Sequence, residues 1–352
     1  MNILRIYPFL PPLSGGMEKH IQRLTEEQRK LGHQITIAFN QGNITASEDI
    51  QILPSFKLRK VKSQSLRDLI FYFFLLIKIM QQKKRFDIVH VHGDWSAFLF
   101  GLLVARLTKP SKLVAGFHGV SSRGKWRYIY SFIFKKYSVI YATGVQDAVY
   151  FKTLTKTIVH SQHSGIDEVF LKIPESTANR LFDVVCVGSF VPIKNFDLIV
   201  DIAALMPKVT FLLIGDGVQK SLIESNCRNR AISNITFLGH LPPIGVAQQL
   251  RNAKIFLTTS FGEGTPTALL EAMACGLAVI TSKSNDYDKL IKAGKNGYIV
   301  DGFQASNYVE RIQMLLDNKN LLLEITHNNK QQTRSYGWPE VAKRITEWMV
   351  AI

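Results

Sequence analysis

Two glutamates that lie eight residues apart, Glu263 and Glu271, are the side chains in this sequence best placed to do chemistry. Glu271 falls inside the apolar run "ALLEAMA", where an unpaired buried carboxylate would be costly. Thr265 is suited to the N-cap of a helix and Pro266 to its first residue. The pattern therefore predicts a helix that buries one carboxylate and follows a loop with a second.

The start of this predicted helix is suited to a phosphorylated sugar compound. Its free N–H groups, near Thr267 and Ala268, can bind an anion such as a phosphate. Glu271, about one and a half turns further on, can accept hydrogen bonds from a ribose diol, and Glu263 can face a sugar attached to the phosphate. The alternative is that Glu271 is exposed to solvent or paired with a lysine.

Short apolar runs in the first half of the chain alternate with segments of helical spacing. Several of these runs are apolar throughout, as expected for parallel strands that are covered on both faces. The predicted strands are residues 2–7, 34–39, 86–93, 112–119 and 138–144.

The same alternation begins again near residue 182, so the sequence predicts two doubly wound α/β domains. A polar segment at 165–181 is the predicted linker, and Pro339 lies at the start of a predicted final helix. Ligands of such sheets bind at the carboxyl ends of the strands, and a cleft between the two domains is the expected place for a site. The second set of predicted strands is 182–189, 209–217, 234–240, 254–260, 277–282 and 296–300.

The positive charge is concentrated in the first half of the chain. Residues 1–175 contain 25 Lys and Arg against 12 Asp and Glu, a net charge of +13, whereas residues 176–352 contain 18 against 15, or +3. This asymmetry indicates an acidic partner for the first half: an anionic membrane, a nucleic acid or a phosphorylated substrate. The three scattered cysteines have neither metal-binding nor redox spacing, which indicates a reducing compartment.

A basic and aromatic region surrounds the most apolar segment, "LIFYFFLLIKIM" at residues 69–80. That segment is too short to span a bilayer and is interrupted by Lys78. One interpretation is a buried helix flanked by ordinary solvated cations, and the other is peripheral contact with anionic lipid. The flanking residues are Lys57, Arg59, Lys60, Lys62, Arg67, Arg123, Lys125, Trp126 and Arg127.

The ordered set of motifs resembles one known enzyme family over nearly the whole chain. "EGTPTALLEAMACGLAVITS" resembles the E-x7-E segment of retaining family-4 glycosyltransferases with the GT-B fold, and "PPLSGGMEKHI" resembles their N-terminal glycine loop. "HSGIDEVF", "VGSFVPIKN", "LIGDG" and "FLGHL" follow in the family's order and spacing. Each motif is weak by itself, and the ordered set is specific.

The resemblance implies roles for individual residues. His118 would lie beside the donor sugar and the reacting centre, Lys194 would neutralise the leaving diphosphate, and Glu263 would touch sugar hydroxyls. These three are the implied catalytic residues, and no metal or other cofactor is implied. The implied donor-binding residues are Gly15, Gly16, Ser189, Lys194, Glu263, Gly264, Thr265, Pro266, Thr267, Ala268 and Glu271.

Two positions depart from the family's pattern. Ser189 stands where the family commonly has an arginine that contacts the diphosphate, so Lys194 acts alone or another cation substitutes. Ser164 replaces the common asparagine before Gly165.

Three other patterns have simpler interpretations. Asp286 and Asp288 have the form of a metal-binding D-x-D, but we expect a helix N-terminus there. His90 and His92 share one face of a strand, where polar roles in the core or the cleft are expected rather than metal ligation. The turn at 215–217 is only a fragment of a dinucleotide-binding fingerprint.

The resemblance implies two doubly wound Rossmann-like domains that face a central cleft. Residues 1–170 would form the acceptor side, 171–335 would bind the nucleotide-sugar, and 336–352 would form a helix that packs back on the first domain. The expected function is transfer of a sugar to a hydroxyl with retention, in surface polysaccharide or lipid-linked glycan synthesis. The expected partners are a nucleotide-sugar, a glycan or lipid-linked acceptor and the anionic inner face of the cell membrane, with a cytoplasmic location.

Two other classes of function stay open at the level of sequence. One is a related nucleotide-sugar epimerase, which would isomerise a sugar without an acceptor. The other is a nucleic-acid-binding protein, which is suggested by the charge alone and has no recognisable binding module.

Overall fold

The chain forms two compact α/β units. Unit 1 contains Met1–Gly165 and Trp338–Ile352, and unit 2 contains Ile166–Gly337. Apart from the side chain of Asp288, the computed structural model describes residues 1–13, 16–82, 84–118, 126–172, 180–262, 267–283 and 287–351.

Unit 1 is built on a parallel sheet with the strand order β3-β2-β1-β4-β5-β6-β7. Its described strands are β1 (Asn2–Ile6), β2 (Gln34–Phe39), β3 (Ile50–Gln51), β4 (Ile88–Gly93), β5 (Lys112–Phe117), β6 (Val139–Ala142) and β7 (Ile158–Ser161). Its first five described helices are α1 (Gly16–Lys30), α2 (Gln64–Gln82), α3 (Trp95–Thr108), α4 (Arg127–Phe134) and α5 (Val145–Lys152).

Apolar strands of this sheet are covered by helices on both faces, as the uninterrupted apolar runs predicted. Successive side chains of a strand point to opposite faces, so neighbours on β1 enter different clusters. Leu4 packs with Phe71 of α2 and Phe98 of α3, whereas Ile3 packs with Ile21 of α1. Each face therefore has its own core.

Unit 2 is built on a parallel sheet with the strand order β10-β9-β8-β11-β12-β13. Its described strands are β8 (Phe182–Val187), β9 (Phe211–Ile214), β10 (Ile235–Gly239), β11 (Ala253–Thr258), β12 (Ala278–Ser282) and β13 (Gly297–Val300). Its described α-helices are α6 (Glu168–Leu171), α7 (Phe196–Leu205), α8 (Lys220–Asn229), α9 (Pro243–Arg251), α10 (Thr267–Ala274), α11 (Tyr287–Leu290), α12 (Ala305–Asp317) and α13 (Lys319–Thr333).

The last helix, α14 (Trp338–Val350), belongs to unit 1. Ile345 enters the same apolar cluster as Ile3 of β1. Arg344 Nε donates to Gln162 Oε1 at 2.9 Å, and the ring of Trp348 stacks on that of His160 at a centroid distance of 4.0 Å. The end of the chain therefore completes the cover on one face of the first sheet.

The two edge strands of the unit 1 sheet, β3 and β7, were not predicted from the sequence. β3 has only two residues, and β7 reads "IVHS", which is too short to show an apolar period. Both strands depend on a neighbour for their hydrogen bonds, β3 on β2 and β7 on β6.

Candidate functional site

Each sheet has one point where the strand order reverses, and that point selects the loops that are best placed to bind a ligand. In unit 1 the reversal lies between β1 and β4, and in unit 2 between β8 and β11. Among the described residues singled out in the sequence, Ser189 and Lys194 follow β8, and Thr267, Ala268 and Glu271 lie on α10, which comes after β11.

In unit 2, the loop after β8 carries Ser189 and Lys194. Ser189 is exposed, and Lys194 ends a short 3-10 helix at Pro192–Lys194 and is half-buried. The alkyl chain of Lys194 lies over Gly188, because a Cβ placed on that glycine would be 3.8 Å from Lys194 Cδ. The lysine is therefore held along the loop that leaves β8.

The loop after β11 is hydrogen-bonded to the Lys194 loop. Thr259 Oγ1 donates to the carbonyl oxygen of Asn195 at 2.8 Å, and the N–H of Phe261 donates to that of Ile193 at 2.8 Å. Ser282, at the end of β12, donates from its Oγ to the carbonyl oxygen of Ser260 at 2.6 Å. Three strand ends are thus joined immediately before the segment that leads into α10.

Gly215 and Gly217 let the loop after β9 pack against the same region. Both have positive φ angles, 142° and 157°, that disfavour other residues. A Cβ on Gly215 would lie 1.9 Å from the carbonyl oxygen of Gly188, and one on Gly217 would lie 2.5 Å from that of Phe190. Close packing against the backbone of the loop after β8 therefore explains why both positions of this turn are glycine.

Glu271 lies in the second turn of α10 and is buried, with 8% of its surface exposed. Its neighbours Leu270, Ala272 and Met273 belong to the core of unit 2. The solvent-exposed alternative for Glu271 is therefore wrong. Thr267 and Ala268 are the first two residues of the helix, whose initial N–H groups lack partners within the helix itself.

In unit 1, a cavity of about 270 Å³ opens at the carboxyl ends of β1, β4 and β5. Its lining is rich in polar groups, and it contains His118, which directly follows β5. The cavity is also lined by Tyr7, Phe9, Arg67, Asp68, His92 and Asp94.

Two carboxylates of this cavity are held in fixed positions. Asp68 accepts a hydrogen bond from Ser96 Oγ, and burial together with the charge of Asp94 raises its pKa to about 6. Asp94 caps α3 by accepting from the N–H of Trp95 at 2.7 Å, and it also accepts from the hydroxyl of Tyr130. The cavity therefore offers fixed hydrogen-bond acceptors that suit hydroxyl groups.

Four histidines pack against one another beside this cavity, and two of them, His92 and His118, line it. His118 Nε2 lies 2.9 Å from His92 Nδ1, and the rings of His90 and His92 are 4.0 Å apart between centroids. His20 lies 4.4 Å from His118 by the same measure, and its Nδ1 is 2.9 Å from Ser164 Oγ. The serine that replaces the family's common asparagine thus supports a histidine of this cluster.

All four imidazoles are held neutral. Burial lowers the pKa of His118 to about 3, and it lowers the pKa values of the other three to well below the usual value. Arg5 adds to the effect on His20, His90 and His92 as a neighbouring positive charge. Its guanidinium is buried and donates to Thr25 and Gln28, and burial lowers its pKa only to about 10.

The structure describes seven of the twelve residues predicted from the sequence. In unit 2, Ser189, Lys194, Thr267, Ala268 and Glu271 occupy loops or helix turns at the point of strand reversal. In unit 1, His118 lines the cavity, and Gly16 is exposed as the first residue of α1. The others lie outside the described residues: Gly15, Glu263, Gly264, Thr265 and Pro266.

The additional patterns have different outcomes. His90 and His92 are both buried on β4 with their rings in contact, so the prediction of a shared face is confirmed. Asp286 lies outside the described residues. Among the described side chains, no group of three or more His, Cys, Asp or Glu residues could hold a metal ion, and the absence of a metal requirement stays a prediction.

The sequence interpretation missed the polar lining of the unit 1 cavity. Arg67 was assigned only to the basic region, and Asp68 and Asp94 were not singled out. Glu271 was identified as an acidic residue within an apolar helical segment. The same criterion applies to Asp68, which is a buried acidic residue on the apolar helix α2. Asp94 and Tyr7 follow strand ends, but only the strand order shows that those ends are neighbours.

Comparisons with known proteins identify the family of this chain. Residues 14–168 match the model of Glycosyltransferase Family 4, and residues 172–332 match that of Glycosyl transferases group 1. An uncharacterised glycosyltransferase of Methanocaldococcus jannaschii is 29% identical over 152 residues, which are 43% of this chain and 43% of that protein. One subunit of human phosphatidylinositol N-acetylglucosaminyltransferase is 25% identical over 302 residues, which are 80% of this chain and 62% of that protein.

The aligned part of this chain thus spans less than two thirds of the length of either relative. Among solved structures, the Anabaena protein HepE in complex with UDP-glucose has a TM-score of 0.75 and 18% identity, and the alignment covers 99% of each chain. At this identity the likeness shows the fold, which is the GT-B fold with its two parallel α/β sheets.

Proposed function

Since this chain belongs to glycosyltransferase family 4, a family of retaining enzymes in EC class 2.4, we propose that it transfers a sugar from a nucleotide-sugar to a hydroxyl of a glycan or lipid-linked acceptor. Unit 2 binds the donor, and unit 1 binds the acceptor. The observation that carries this proposal is the buried carboxylate of Glu271 on α10, behind loops that are joined at the point of strand reversal.

In the proposed donor site, the start of α10 receives the diphosphate and Glu271 receives the ribose diol. The N–H groups at a helix start and the cation of Lys194 are both suited to a diphosphate. Glu263 contacts the sugar hydroxyls in this proposal. The exposed Ser189 stands where the family commonly has an arginine. Lys194 is therefore the cation of the family's pattern that this chain keeps on the loop after β8.

The reaction breaks the bond between the anomeric carbon and a diphosphate oxygen, and that oxygen keeps the electron pair. The acceptor oxygen then forms the new bond on the same face of the sugar, and its proton passes to the departing phosphate or to a base. Lys194 and the α10 N–H groups stabilise the negative charge that develops on the leaving group. No protein nucleophile is assigned, so front-face transfer and double displacement are both compatible with retention.

The neutral state of His118 suits its proposed place beside the reacting centre. Glycosyl transfer passes through a transition state with oxocarbenium-like positive charge on the sugar. A cationic imidazole next to that carbon would oppose its formation, whereas a neutral imidazole can still donate or accept a hydrogen bond. The low pKa of His118 keeps it neutral at physiological pH.

The cavity of unit 1 is the proposed acceptor site. Asp68 and Asp94 accept hydrogen bonds from acceptor hydroxyls there, and Arg67 supplies a cation that suits a phosphate group on the acceptor. A hydroxylated head group with a phosphate is therefore the acceptor chemistry that this lining favours. The lipid named in the human relative has both features.

Donor binding should stabilise the protein, and replacement of Glu271 should remove most of that effect. A thermal-shift screen of nucleotide-sugars, UDP-glucose among them, is expected to raise the Tm of the parent protein by mass action. In Glu271→Gln and Glu271→Ala, the Kd measured by calorimetry should rise about 10- to 100-fold, because a charged hydrogen bond is worth roughly 1.5–3 kcal/mol.

The matched control for this test is Glu310→Gln, an acidic residue on α12 that is 70% exposed in its side chain. It should leave the Kd unchanged. A folded Glu271→Ala variant with parental donor affinity would exclude the ribose assignment and favour a structural ion pair. Absence of any nucleotide-sugar binding by the parent protein would contradict the proposed function as a whole.

Unit 1 also has a surface suited to a membrane, which we call the apolar face. The neighbouring helices α2, α3 and α4 each present large apolar side chains to solvent. Single exposed apolar side chains are common on protein surfaces, whereas a group of them on neighbouring helices indicates a binding surface. Phe73 is 57% and Phe132 63% exposed. The residues of the apolar face are Leu66, Leu69, Phe73, Met80, Leu99, Leu103, Leu107, Tyr128 and Phe132.

Exposed cations lie next in sequence to this face. Lys57, Arg59, Lys60 and Lys62 come directly before α2, and Lys78 lies on it. No described helix is long and apolar enough to cross a membrane. We therefore propose peripheral binding on the cytoplasmic face of an anionic membrane, with the apolar face at the lipid interface and the cations near the phosphates.

Binding to vesicles should require anionic lipid and weaken as salt rises, since charge screening acts over about 10 Å at 0.1 M salt. Replacing Lys57, Arg59, Lys60 and Lys62 by Gln should reduce flotation with such vesicles, because each basic residue near the surface is worth about 1 kcal/mol. Donor affinity should not change.

The control removes the same charge from exposed lysines of unit 2: Lys208, Lys292, Lys295 and Lys319. That variant should float like the parent protein. A parent protein that does not float with anionic vesicles at low salt would contradict membrane binding and favour a soluble acidic acceptor.

A further inference from the structure

The contact between His92 and His118 is fixed by the register of two strands. β4 and β5 are parallel neighbours in which His92 pairs with Gly116, two residues before His118. A Cβ on Gly116 would lie 2.8 Å from His92 Nδ1, so this position has room for the imidazole only because it is glycine. The 2.9 Å distance from His92 Nδ1 to His118 Nε2 is that of a hydrogen bond.

One of these two nitrogens carries the shared hydrogen, and the other end of His92 indicates which. His92 Nε2 is buried and has no hydrogen-bond partner among the described residues. If His92 accepted at Nδ1, its single hydrogen would sit on Nε2 as a buried N–H with no acceptor. Unpaired buried N–H groups are rarer in proteins than unpaired acceptors. The arrangement with fewer unpaired donors has Nδ1–H on His92.

We infer that His92 is a positioning residue that donates its Nδ1–H to His118 Nε2 and thereby fixes His118 as the tautomer with a hydrogen on Nδ1. His118 then presents an N–H donor, and not a lone pair, to an oxygen of the bound substrates. The hydrogen bond from His92 determines the tautomer of His118, because a neutral imidazole has one donor nitrogen and one acceptor nitrogen.

The surroundings keep both rings in the neutral forms that this arrangement needs. A proton on His92 would be opposed by burial and by the positive charge of Arg5 nearby. His20 faces His118 from α1, and its nitrogens lie near Ser164 Oγ and Tyr141 Oη, at 2.9 and 3.4 Å. His92 is therefore the described hydrogen-bond partner of His118 Nε2 on which the inference depends.

The part of the inference that concerns catalysis rests on the proposed function, in which His118 lies at the reacting centre. The part that concerns the tautomer does not. The experiment therefore has one readout that is independent of activity and a second that uses turnover.

The first readout is the nitrogen-15 spectrum of the histidine side chains in the full-length protein at pH 7.5. The His118 signals are those missing from His118→Gln. In the parent protein they should show a protonated Nδ1 and an unprotonated Nε2. In His92→Leu the hydrogen should redistribute toward Nε2. A parent spectrum with the hydrogen on Nε2, or a tautomer that does not respond to His92→Leu, would overturn the inference.

Two further variants, His92→Asn and His92→Asp, are nearly isosteric with each other but differ in whether the side chain can donate a hydrogen bond. They also provide the test if His92→Leu does not fold. The amide of His92→Asn can place an N–H where Nδ1–H was, whereas the carboxylate of His92→Asp can only accept. Asn should keep the parental tautomer of His118, and Asp should move the hydrogen to Nε2. Equal spectra for the two variants would overturn the inference.

The second readout is turnover of UDP-glucose as a probe, followed by UDP release. We expect His92→Leu and His92→Asp to lower kcat about 10- to 100-fold with little change in KM, because His118 in the other tautomer loses one hydrogen bond to the reacting substrates. His92→Asn should restore most of the rate. If the tautomer responds as expected but UDP-glucose and other nucleotide-sugars neither bind nor turn over, the proposed function fails and the positioning role stands.

Discussion

Replacing Lys194 by alanine is expected to lower kcat for sugar transfer about 10²- to 10³-fold, while the Kd for the donor rises much less. Loss of one group that stabilises developing negative charge has this magnitude when the group acts mainly in the transition state. The measurement is single-turnover kinetics with saturating nucleotide-sugar, together with calorimetric Kd values for parent and variant.

Two further variants show whether the charge of Lys194 is the cause. Ser189→Arg in the Lys194→Ala background returns a cation to the position where the family commonly has one, and it should recover part of the lost rate. Lys208→Ala, at an exposed site of unit 2, should behave like the parent protein. Parental kinetics for Lys194→Ala would mean that another cation stabilises the leaving group.

Unit 1 is expected to lose stability steeply as the pH falls below about 6.5, because of the histidine cluster formed by His20, His90, His92 and His118. Burial lowers their pKa values in the folded state, so the unfolded chain binds protons at these sites at a pH where the folded chain does not. The free energy of unfolding therefore decreases as the pH is lowered from about 6.5 toward the pKa of the folded state, which is about 3 for His118.

Asp68 has the opposite effect on stability at low pH, but it contributes only one proton. Its pKa is raised to about 6, so the folded state binds its proton first and gains stability between pH 6 and the ordinary value near 4. The net uptake on unfolding is then about three protons, or roughly 4 kcal/mol for each pH unit below about pH 5.5. Domains have about 5–15 kcal/mol of stability in total, so the free energy of unfolding of unit 1 is expected to decrease markedly between pH 6.5 and pH 5.

Tryptophan fluorescence measures this transition selectively. All four tryptophans, Trp95, Trp126, Trp338 and Trp348, belong to unit 1. Urea unfolding at several pH values between 7.5 and 5 gives the proton uptake from the slope of the free energy of unfolding against pH.

Two histidine variants serve as the test and the control for the slope. His90→Asn should reduce the uptake by about one proton, whereas His327→Gln, at an exposed position of unit 2, should not change it. A free energy of unfolding that is flat from pH 7 to 5.5 would mean that the buried histidines are already protonated in the folded state.

The sequence by itself determined the class of the fold and the position of helix α10, at which we propose that the donor binds. Apolar runs and helical spacing are local properties, so they placed most strands of both sheets within a few residues of their observed bounds. Glu271 was identified in the same way, because an acidic residue in the run "ALLEAMA" conflicts with its neighbours wherever the helix packs. The ordered motifs then carried the resemblance to the family, which the comparisons bear out.

Only the tertiary structure decided which distant residues meet. His20, His92 and His118 come from α1, β4 and the end of β5, and only the strand order β1-β4-β5 places these elements side by side. Asp68 and Asp94 likewise share a cavity because α2 and α3 cover the same face of the sheet. Local periodicity contains no information about such pairings.

Short edge strands and close backbone contacts were beyond the sequence for a related reason. β3 and β7 have too few residues to show a period, and they exist as strands because β2 and β6 offer hydrogen bonds. Gly215 and Gly217 resemble a fragment of a dinucleotide-binding fingerprint in the sequence, but in the structure the backbone of the neighbouring loop occupies the space of a side chain at both positions. Hydrogen bonding between strands and exclusion of volume arise only when segments that are distant in sequence come together.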